Sequence, residues 1–328
     1  MKPTQRVLAR RSALAGTLLL VPAVGRTGAW PERPVRMIIP FVAGAGADIV
    51  GRTYAEELAK ALGQPVVVDN KGGAGGLMAT AEGARAAPDG YTLLLMSQGT
   101  TVYNIGLYKA PGYDPLKDLA PVAVCGTLPN VLVVSSTNPA ATVADVVAQA
   151  RAKPGELTYG SSGIGSSLHL SGVIFEQRTG VRRQHVPYRG APPAVLGVVN
   201  GEVTMGFFNT PTVLGQIRSG KLKALAVTSQ DRSALLPDVP TMTEAGVADF
   251  VVAVWLGFAL PASTSEAIVS RFNAEISRIG QMAQVKEKLL VQGFEMMPPG
   301  SPQAARKLIV DDQAFWLPII ERSGAKAE

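Results

Sequence analysis

VRMIIPFVAGAGADIVGR, residues 35–52, runs from a short apolar segment through a glycine loop into an amphipathic segment. The apolar segment, 35–41, is typical of a buried strand, and a helix is predicted from Asp48, whose carboxylate can cap the first turn. An apolar residue recurs at every fourth position of that helix: Val50, Tyr54, Leu58 and Leu62. Gly63 predicts its end, and PVVVDN at 65–70 predicts the next strand. The chain therefore begins with a strand–helix–strand unit.

Short apolar runs and amphipathic segments alternate along the rest of the chain, which predicts an α/β fold. The order of strand, glycine-serine loop and helix returns at SSGIGSS, residues 161–167. The first turn of a helix carries free backbone N–H groups and a partial positive charge, and glycines let a ligand approach the backbone closely. Both loops therefore suit an anion, and their places in the two halves of the chain predict two α/β lobes that face each other.

The first loop fits only part of the G-x-G-x-x-G fingerprint of dinucleotide-binding proteins. Gly44 and Gly46 match it, but Ile49 occupies the third glycine position. Asp69 lies where a ribose-binding acid is expected. The second loop, KGGAGGLM at 71–78, departs from the fingerprint too, and neither loop continues into the Gly-Lys-Ser/Thr of a P-loop. No nucleotide cofactor is expected.

Motifs of hydrolases and metalloenzymes are missing as well. No G-x-S-x-G sequence surrounds the serines at 161–167, and the two histidines, His169 and His185, form no zinc-protease motif. A pairing of a serine with a histidine in space stays open. Cys125 is the only cysteine, which excludes an intramolecular disulfide and a multi-cysteine metal site, and its apolar neighbours favour a core position. We expect no catalytic residue and no metal site.

The charge of the chain is concentrated at its beginning. The formal net charge is +6, but residues 1–29 hold five basic residues and no acidic one, which leaves 26 basic against 25 acidic residues in the remainder. Without a basic block in that remainder, nucleic acid is not an expected partner.

Residues 1–29 have the parts of an export signal. Arg10 and Arg11 precede an apolar segment at 13–24, and small residues follow at 27–29. The apolar segment is shorter than the ~20 residues of a membrane-spanning helix. We expect cleavage before Trp30 after Sec or twin-arginine export and a periplasmic location; the alternative is a buried N-terminal helix.

Eight segments stand in a characteristic order: WPERPVRMIIPFVAGAGADIVGR, LGQPVVVDNKGGAGG, APDGYTLLL, PNVLVV, KPGELTYGSSGIGSSLHL, HVPYRG, SGKLKALAVTS and RSALLPDVPTMTEAG. With them the chain, from Trp30 to its C-terminus, resembles the Bug-type solute-binding proteins of tripartite tricarboxylate transporters, the TctC family. The resemblance implies a two-lobed periplasmic-binding-protein fold (Venus flytrap, type II) in which the chain crosses between the lobes twice. Lobe one is expected at 30–127 plus 254–328, and lobe two at 128–253.

The resemblance also implies a function. A protein of this family captures a small organic acid in the cleft between its lobes and passes it to the transporter's membrane permease subunits, without a cofactor and as a monomer. Two alternatives stay open: a sensory or regulatory module that binds a carboxylate, and an enzyme that uses the same cleft.

Family motifs imply where the ligand would be bound. The first loop would meet the proximal carboxylate of the ligand, and the loop at 161–167 would add hydroxyl and N–H groups from lobe two. A polar loop predicted at 97–101 follows a strand, where α/β clefts bind ligands. The implied ligand-binding residues are Phe41, Val42, Ala43, Gly44, Ala45, Gly46, Asp48, Ser97, Gln98, Ser162, Gly165, Ser166, Ser167, His169, Arg189 and Asn209.

Four residues leave alternatives open at this stage. His169 suits either ligand contact or packing, and Arg189 suits either a distal carboxylate or the lobe surface. Ala45 stands where the family commonly has glycine, so it would be strained if the position needs a positive φ. Phe208 replaces an acid beside the expected distal end of the ligand, so it indicates either an apolar ligand tail or a core position.

Overall fold

The computed structural model of the protein describes residues 30–327. The expected export signal, residues 1–29, lies outside the described residues. Within 30–327, no helix has the length and apolar character needed to cross a membrane.

The described residues form ten strands and ten α-helices in an alternating order. The strands are β1 (Val35–Ile39), β2 (Val66–Asn70), β3 (Thr92–Ser97), β4 (Leu119–Ser135), β5 (Thr158–Ser161), β6 (Gln184–Pro187), β7 (Met205–Asn209), β8 (Leu222–Val227), β9 (Ala253–Pro261) and β10 (Glu295–Met296). The helices are α1 (Gly46–Leu62), α2 (Leu77–Ala84), α3 (Asn104–Leu107), α4 (Val143–Ala152), α5 (Ser167–Thr179), α6 (Ala191–Val199), α7 (Thr210–Arg218), α8 (Glu266–Gly280), α9 (Ala283–Leu290) and α10 (Pro302–Ser323).

The sheet consists of two groups of strands that share β4. Its order is β2-β1-β3-β9-β4-β7-β5-β6, with β8 and β10 also paired to β4. The first part of β4, Leu119–Pro129, pairs with β9, and its second part, Asn130–Ser135, pairs with β7 and β8. β1 lies parallel to β2 and β3, and β5 lies parallel to β6 and β7. The predicted α/β fold with two lobes is confirmed, whereas the exact lobe boundaries at 127/128 and 253/254 stay a prediction.

The apolar face predicted for the first helix lies in the core. Val50, Tyr54 and Leu58 of α1 are buried, and the ring of Tyr54 lies 5.2 Å from that of Phe258 in β9, measured between centroids. Cys125 of β4 is buried in the same cluster, as its apolar neighbours predicted. Packing of α1 on the sheet thus fixes the position of its first turn and of the glycine loop before it.

Nearby residues define several helix ends. Gly63 follows the last residue of α1, as the sequence predicts, and Gly180 follows the last residue of α5. Thr142 caps α4 by accepting a hydrogen bond from the N–H of Asp145, and the Asp145 carboxylate accepts from the N–H of Thr142 in return. Such reciprocal capping satisfies N–H groups that have no partner inside the helix.

Two local predictions are wrong. α1 begins at Gly46, two residues before Asp48, and the Asp48 carboxylate accepts a hydrogen bond from the N–H of Gly44 outside the helix. Residues 97–101, predicted as a polar loop, enter a π-helical turn at Gly99–Tyr103 that continues into α3. The hydroxyl and amide side chains there form local hydrogen bonds that stabilise this turn, for example from the Thr101 hydroxyl to the Ser97 carbonyl (2.8 Å).

Candidate functional site

A cavity of about 340 Å³ lies between the two groups of strands. From the first group, its wall comes from the ends of β1 and β3 and from the helical segment that follows β3. From the second group, the wall comes from the loop between β5 and α5. The lining residues are Phe41, Gly75, Ser97, Gly99, Tyr103, Asn104, Leu107, Tyr108, Ile164, Gly165, Ser166, Ser167, Val254 and Ala327.

Five residues of the predicted ligand site line this cavity together. They come from three separate parts of the chain: Phe41, Ser97, Gly165, Ser166 and Ser167. Each lies at or just beyond the carboxyl end of a strand, which is where open α/β sheets bind ligands. Whether these residues hold a ligand stays a prediction, but the structure places them at one site.

The first turn of α5 presents donor groups to the cavity. Ser166 caps this helix, because its hydroxyl accepts a hydrogen bond from the N–H of His169 (3.2 Å) and donates to the carbonyl of Gly163 (2.7 Å). Among the hydrogen bonds of residues 30–327, the N–H groups of Ser167 and Leu168 and the Ser167 hydroxyl find no partner. They are available to an anion at the positive end of the helix.

Leu107 and Gly165 bring the two sides of the cavity into contact. A side chain at Gly165 would place its Cβ 2.4 Å from Cδ1 of Leu107, and the φ of Gly165 is 76°. Both the approach and the backbone conformation require glycine at this position.

A pair of histidines supports the α5 loop from behind. Nδ1 of His169 accepts a hydrogen bond from the N–H of Gly165 (3.1 Å), and the His169 ring stacks on His185 with centroids 4.1 Å apart. Burial lowers the pKa of both imidazoles to about 4, and the neighbouring His185 contributes to the lowered pKa of His169. Both rings are therefore neutral near pH 7, as acceptance by Nδ1 requires. His169 is buried and does not line the cavity, so packing is the role that the structure shows for it.

A serine and a histidine do pair in space, as the sequence left open. The hydroxyl of Ser161 lies 2.6 Å from Nε2 of His185. Ser161 is fully buried and absent from the cavity wall, and its hydroxyl also donates to the carbonyl of Gly163 (3.2 Å). The pair therefore holds the loop and does not face the cavity.

The first glycine loop is held by Asp48. Its carboxylate accepts hydrogen bonds from the N–H of Gly44 (2.8 Å), the Arg52 guanidinium (3.0 Å) and the Asn70 amide (2.8 Å). Burial raises the pKa of the carboxyl, but the hydrogen bonds from Gly44, Asn70 and Arg52 outweigh burial and leave the pKa below its usual value. Asp48 is therefore ionised and saturated with donors, so it shapes the loop.

Most of the first loop lies outside the cavity wall. Only Phe41 lines the cavity, whereas the predicted residues Val42, Ala43, Gly44 and Gly46 are exposed to solvent. Ala45 has a φ of −69°, so the strain considered for an alanine there is absent; the positive φ of the loop belongs to Gly44, at 81°. The N–H groups of Gly46 and Ala47 donate to no group of the described chain.

The remaining predicted residues do not line the cavity. Gln98 donates to the Asp312 carboxylate (2.7 Å) and accepts from the Tyr103 hydroxyl (2.6 Å). Asn209 donates to the Asn130 side chain (2.8 Å), and Ser162 lies outside the wall. Arg189 is exposed and lies outside the wall as well, so a ligand role for it stays a prediction.

Phe208 is a core residue. Its side chain is fully buried in a cluster with Val131 and Leu168, and it does not reach the cavity. Of the two interpretations of this residue, the ligand-facing one is wrong.

Nine lining residues were not named individually from the sequence, although Gly99 and Ile164 lie in the two loops expected at the ligand: Gly75, Gly99, Tyr103, Asn104, Leu107, Tyr108, Ile164, Val254 and Ala327. Two signals could have found some of them. Gly75 belongs to the second glycine loop, and the helical spacing of Tyr103 and Asn104 with Leu107 and Tyr108 predicts one helix face. Val254 and Ala327 reach the cavity only through the tertiary fold.

The wall of the cavity is uncharged. None of its lining residues is acidic or basic. In the described part of the chain, no group of three or more His, Cys, Asp or Glu side chains is placed to hold a metal ion.

Comparison with known proteins agrees with the fold. The profile of the tripartite tricarboxylate transporter family receptors matches residues 50–325. Protein BugT of Bordetella pertussis (strain Tohama I) is 38% identical over 299 residues, which cover 90% of this chain and 91% of BugT.

Two solved structures superpose on nearly the whole described chain. R. palustris Rpa4515 with adipate has a TM-score of 0.79 and 34% identity, covering 90% of this chain and 98% of that chain. MatC (Rpa3494) from Rhodopseudomonas palustris with bound malate has a TM-score of 0.75 and 31% identity, and the match covers 89% of this chain and 100% of that chain. By sequence and by fold, the chain belongs to the tripartite tricarboxylate transporter receptor family, the TctC family that its sequence resembles.

Proposed function

We propose that the protein is a periplasmic solute-binding protein that captures a small organic carboxylate and delivers it to the permease subunits of a tripartite tricarboxylate transporter. The observation that carries this proposal is the cavity between the two groups of strands, with the first turn of α5 in its wall. The adipate and malate bound by the two structural relatives support an organic acid as the ligand.

The donors at the cavity account for carboxylate binding without a basic side chain. A carboxylate at the first turn of α5 accepts hydrogen bonds from the N–H of Ser167 and from its hydroxyl. Hydrogen bonds to a charged acceptor are stronger than those between neutral groups, and the helix N-terminus adds a favourable partial charge. The N–H groups of Gly46 and Ala47 at α1 donate to no described group but lie outside the cavity wall; they are the second set of donors proposed for the same carboxylate once the lobes close.

Capture proceeds by closure of the two lobes around the acid. A ligand that contacts both sides stabilises the closed state in proportion to its higher affinity for that state. The closed, monomeric form is the one presented to the permease. Export through the segment 1–29, with a mature N-terminus at Trp30, brings the protein to the periplasm.

A thermal-shift screen of the purified protein against a panel of carboxylic acids tests the binding function. A ligand that binds only the folded state at a hundredfold excess over its Kd stabilises the protein by about 2.7 kcal/mol. We expect a clear rise in melting temperature with one class of acids and no turnover of the bound acid. A shift with a nucleotide or a metal but with no acid would contradict the proposal and favour an enzyme.

Uptake by intact cells separates transport from sensing. Deletion of the gene should abolish uptake of the acid found in the screen. Unchanged uptake together with a lost transcriptional response to the acid would favour the sensory alternative.

A further inference from the structure

The walls of the cavity are largely apolar. Six side chains supply most of this surface: Phe41, Tyr103, Leu107, Tyr108, Ile164 and Val254. Tyr103 and Leu107 are almost fully buried, so they form a fixed surface in the interior of the cavity. An apolar wall of this kind favours a ligand with an apolar body, because moving apolar surface out of water is favourable in free energy.

Most polar groups of the wall already have partners within the chain. The Tyr103 hydroxyl donates to Gln98 (2.6 Å), and the Asn104 amide donates to the carbonyl of Gly75 (3.0 Å). The Ser97 hydroxyl accepts from the N–H of Thr100 (3.1 Å). Two hydroxyls of the wall, those of Ser167 and Tyr108, have no hydrogen bond to another described residue.

Among residues 30–327, no basic side chain lines the cavity to receive a second carboxylate. The Arg52 guanidinium binds the Asp48 carboxylate, and Arg189 is exposed outside the wall. His169, behind the α5 loop, carries no charge near pH 7 and does not line the cavity. An ionised group that leaves water without a charged or multiply hydrogen-bonded partner loses several kcal/mol.

Building on the proposed function, we infer that the ligand is a monocarboxylate with an apolar or aromatic body. Its one carboxylate binds at Ser167 and the first turn of α5. Its body packs on the apolar wall around Leu107 and Ile164, where the Tyr108 hydroxyl accommodates at most a neutral polar substituent. A cavity of about 340 Å³ suits an acid of this size.

Matched pairs of acids test this inference by isothermal titration calorimetry. Each pair shares a carbon skeleton and differs by one carboxylate: 4-methylbenzoate against terephthalate, and hexanoate against adipate. We expect the monoacid of at least one pair to bind tenfold or more tightly than its diacid. Equal or tighter binding of the diacids would overturn the inference.

The outcomes for the inference and for the proposed function are distinct. If none of the four acids binds while another organic acid does, the inference fails and the proposed function stands. If no organic acid of any kind binds, the proposed function itself fails.

A variant of the wall gives a second test. Ile164 is 54% exposed, so Ile164→Lys should fold normally and supply the missing cation. We expect the tenfold preference for the monoacid to fall below threefold in this variant. Val291→Lys, at a 67% exposed position beyond α9 and outside the cavity wall, adds the same charge and should leave the preference unchanged. Equal preferences in the two variants would contradict the placement of the ligand body against Ile164.

Discussion

At the scale of single residues, Asp48 shows how one side chain determines the shape of a binding loop. Its carboxylate joins the Gly44 backbone to Arg52 and Asn70, and it is buried. It therefore acts on the loop through hydrogen bonds.

Asp48→Asn should lower the free energy of unfolding by about 1–2 kcal/mol, because hydrogen bonds to a buried charged acceptor are lost or weakened. Since the pKa of the folded-state carboxyl is lowered, its stabilisation is present above the unfolded pKa of about 4 and disappears as the pH falls below it. Urea denaturation at pH 7 measures the difference. Asp311→Asn, which removes an exposed ion pair with Lys307, is the control and should cost less than about 0.5 kcal/mol. Equal losses in both variants would refute the role given to Asp48.

The two stacked histidines predict a loss of stability in acid. Their folded-state pKa values of about 4 lie below the unfolded value of about 6.5, so the unfolded chain takes up protons first. The free energy of unfolding should therefore decrease as the pH falls from about 6.5 to about 4, by up to roughly 3 kcal/mol for His169 and by less for His185, whose ring is more open to screening by water, and level off below that.

A double variant isolates this effect. His169→Asn retains an acceptor near the Gly165 N–H, and His185→Gln retains a group near the Ser161 hydroxyl, but neither side chain titrates. Denaturation curves between pH 4 and 6.5 should be flatter for this variant than for the wild-type protein. Parallel pH profiles would show that other groups cause the acid sensitivity.

At the scale of elements, the first turn of α5 combines capping with the proposed ligand contact. Ser166→Ala should remove the cap of α5 and lower the free energy of unfolding by about 1 kcal/mol. It should also weaken carboxylate binding, because the turn that presents Ser167 loses its hydrogen bonds to Gly163 and His169.

Ser301→Ala is a matched control on another helix. Ser301 caps α10 in the same way, by accepting from the N–H of Ala304 (3.1 Å), and does not line the cavity. Both variants should lose similar stability by thermal denaturation, and only Ser166→Ala should change the Kd for an acid. A similar change in Kd for both would indicate a general effect of stability.

At the scale of the whole molecule, the cavity exists because two groups of strands meet. Leu107 from the first group packs on the backbone of Gly165 from the second, and β4 and the segment before β9 connect the groups. We expect the radius of gyration, measured by small-angle X-ray scattering, to decrease when a ligand is added. An unchanged radius at saturating ligand would speak against capture by lobe closure.

The sequence by itself determined the α/β class, the family and the local elements. The four-residue apolar spacing of α1 and the glycine after it act over neighbouring turns, so their signals lie within a few residues. The family resemblance also implied that Phe41, Ser97 and the α5 loop belong to one site; they do line one cavity, and their contact with a ligand stays a prediction.

Only the tertiary structure decided which of these residues meet. Val254 and Ala327 reach the wall from distant parts of the chain, and no local pattern marks them. Phe208 is in the core because of the side chains packed around it, and Asp48 faces Gly44 and Asn70 because α1 and β2 pack beside the loop. The physical reason is that helix and strand formation depends on nearby residues, whereas burial, close contact and the charge of a cavity depend on how those elements pack.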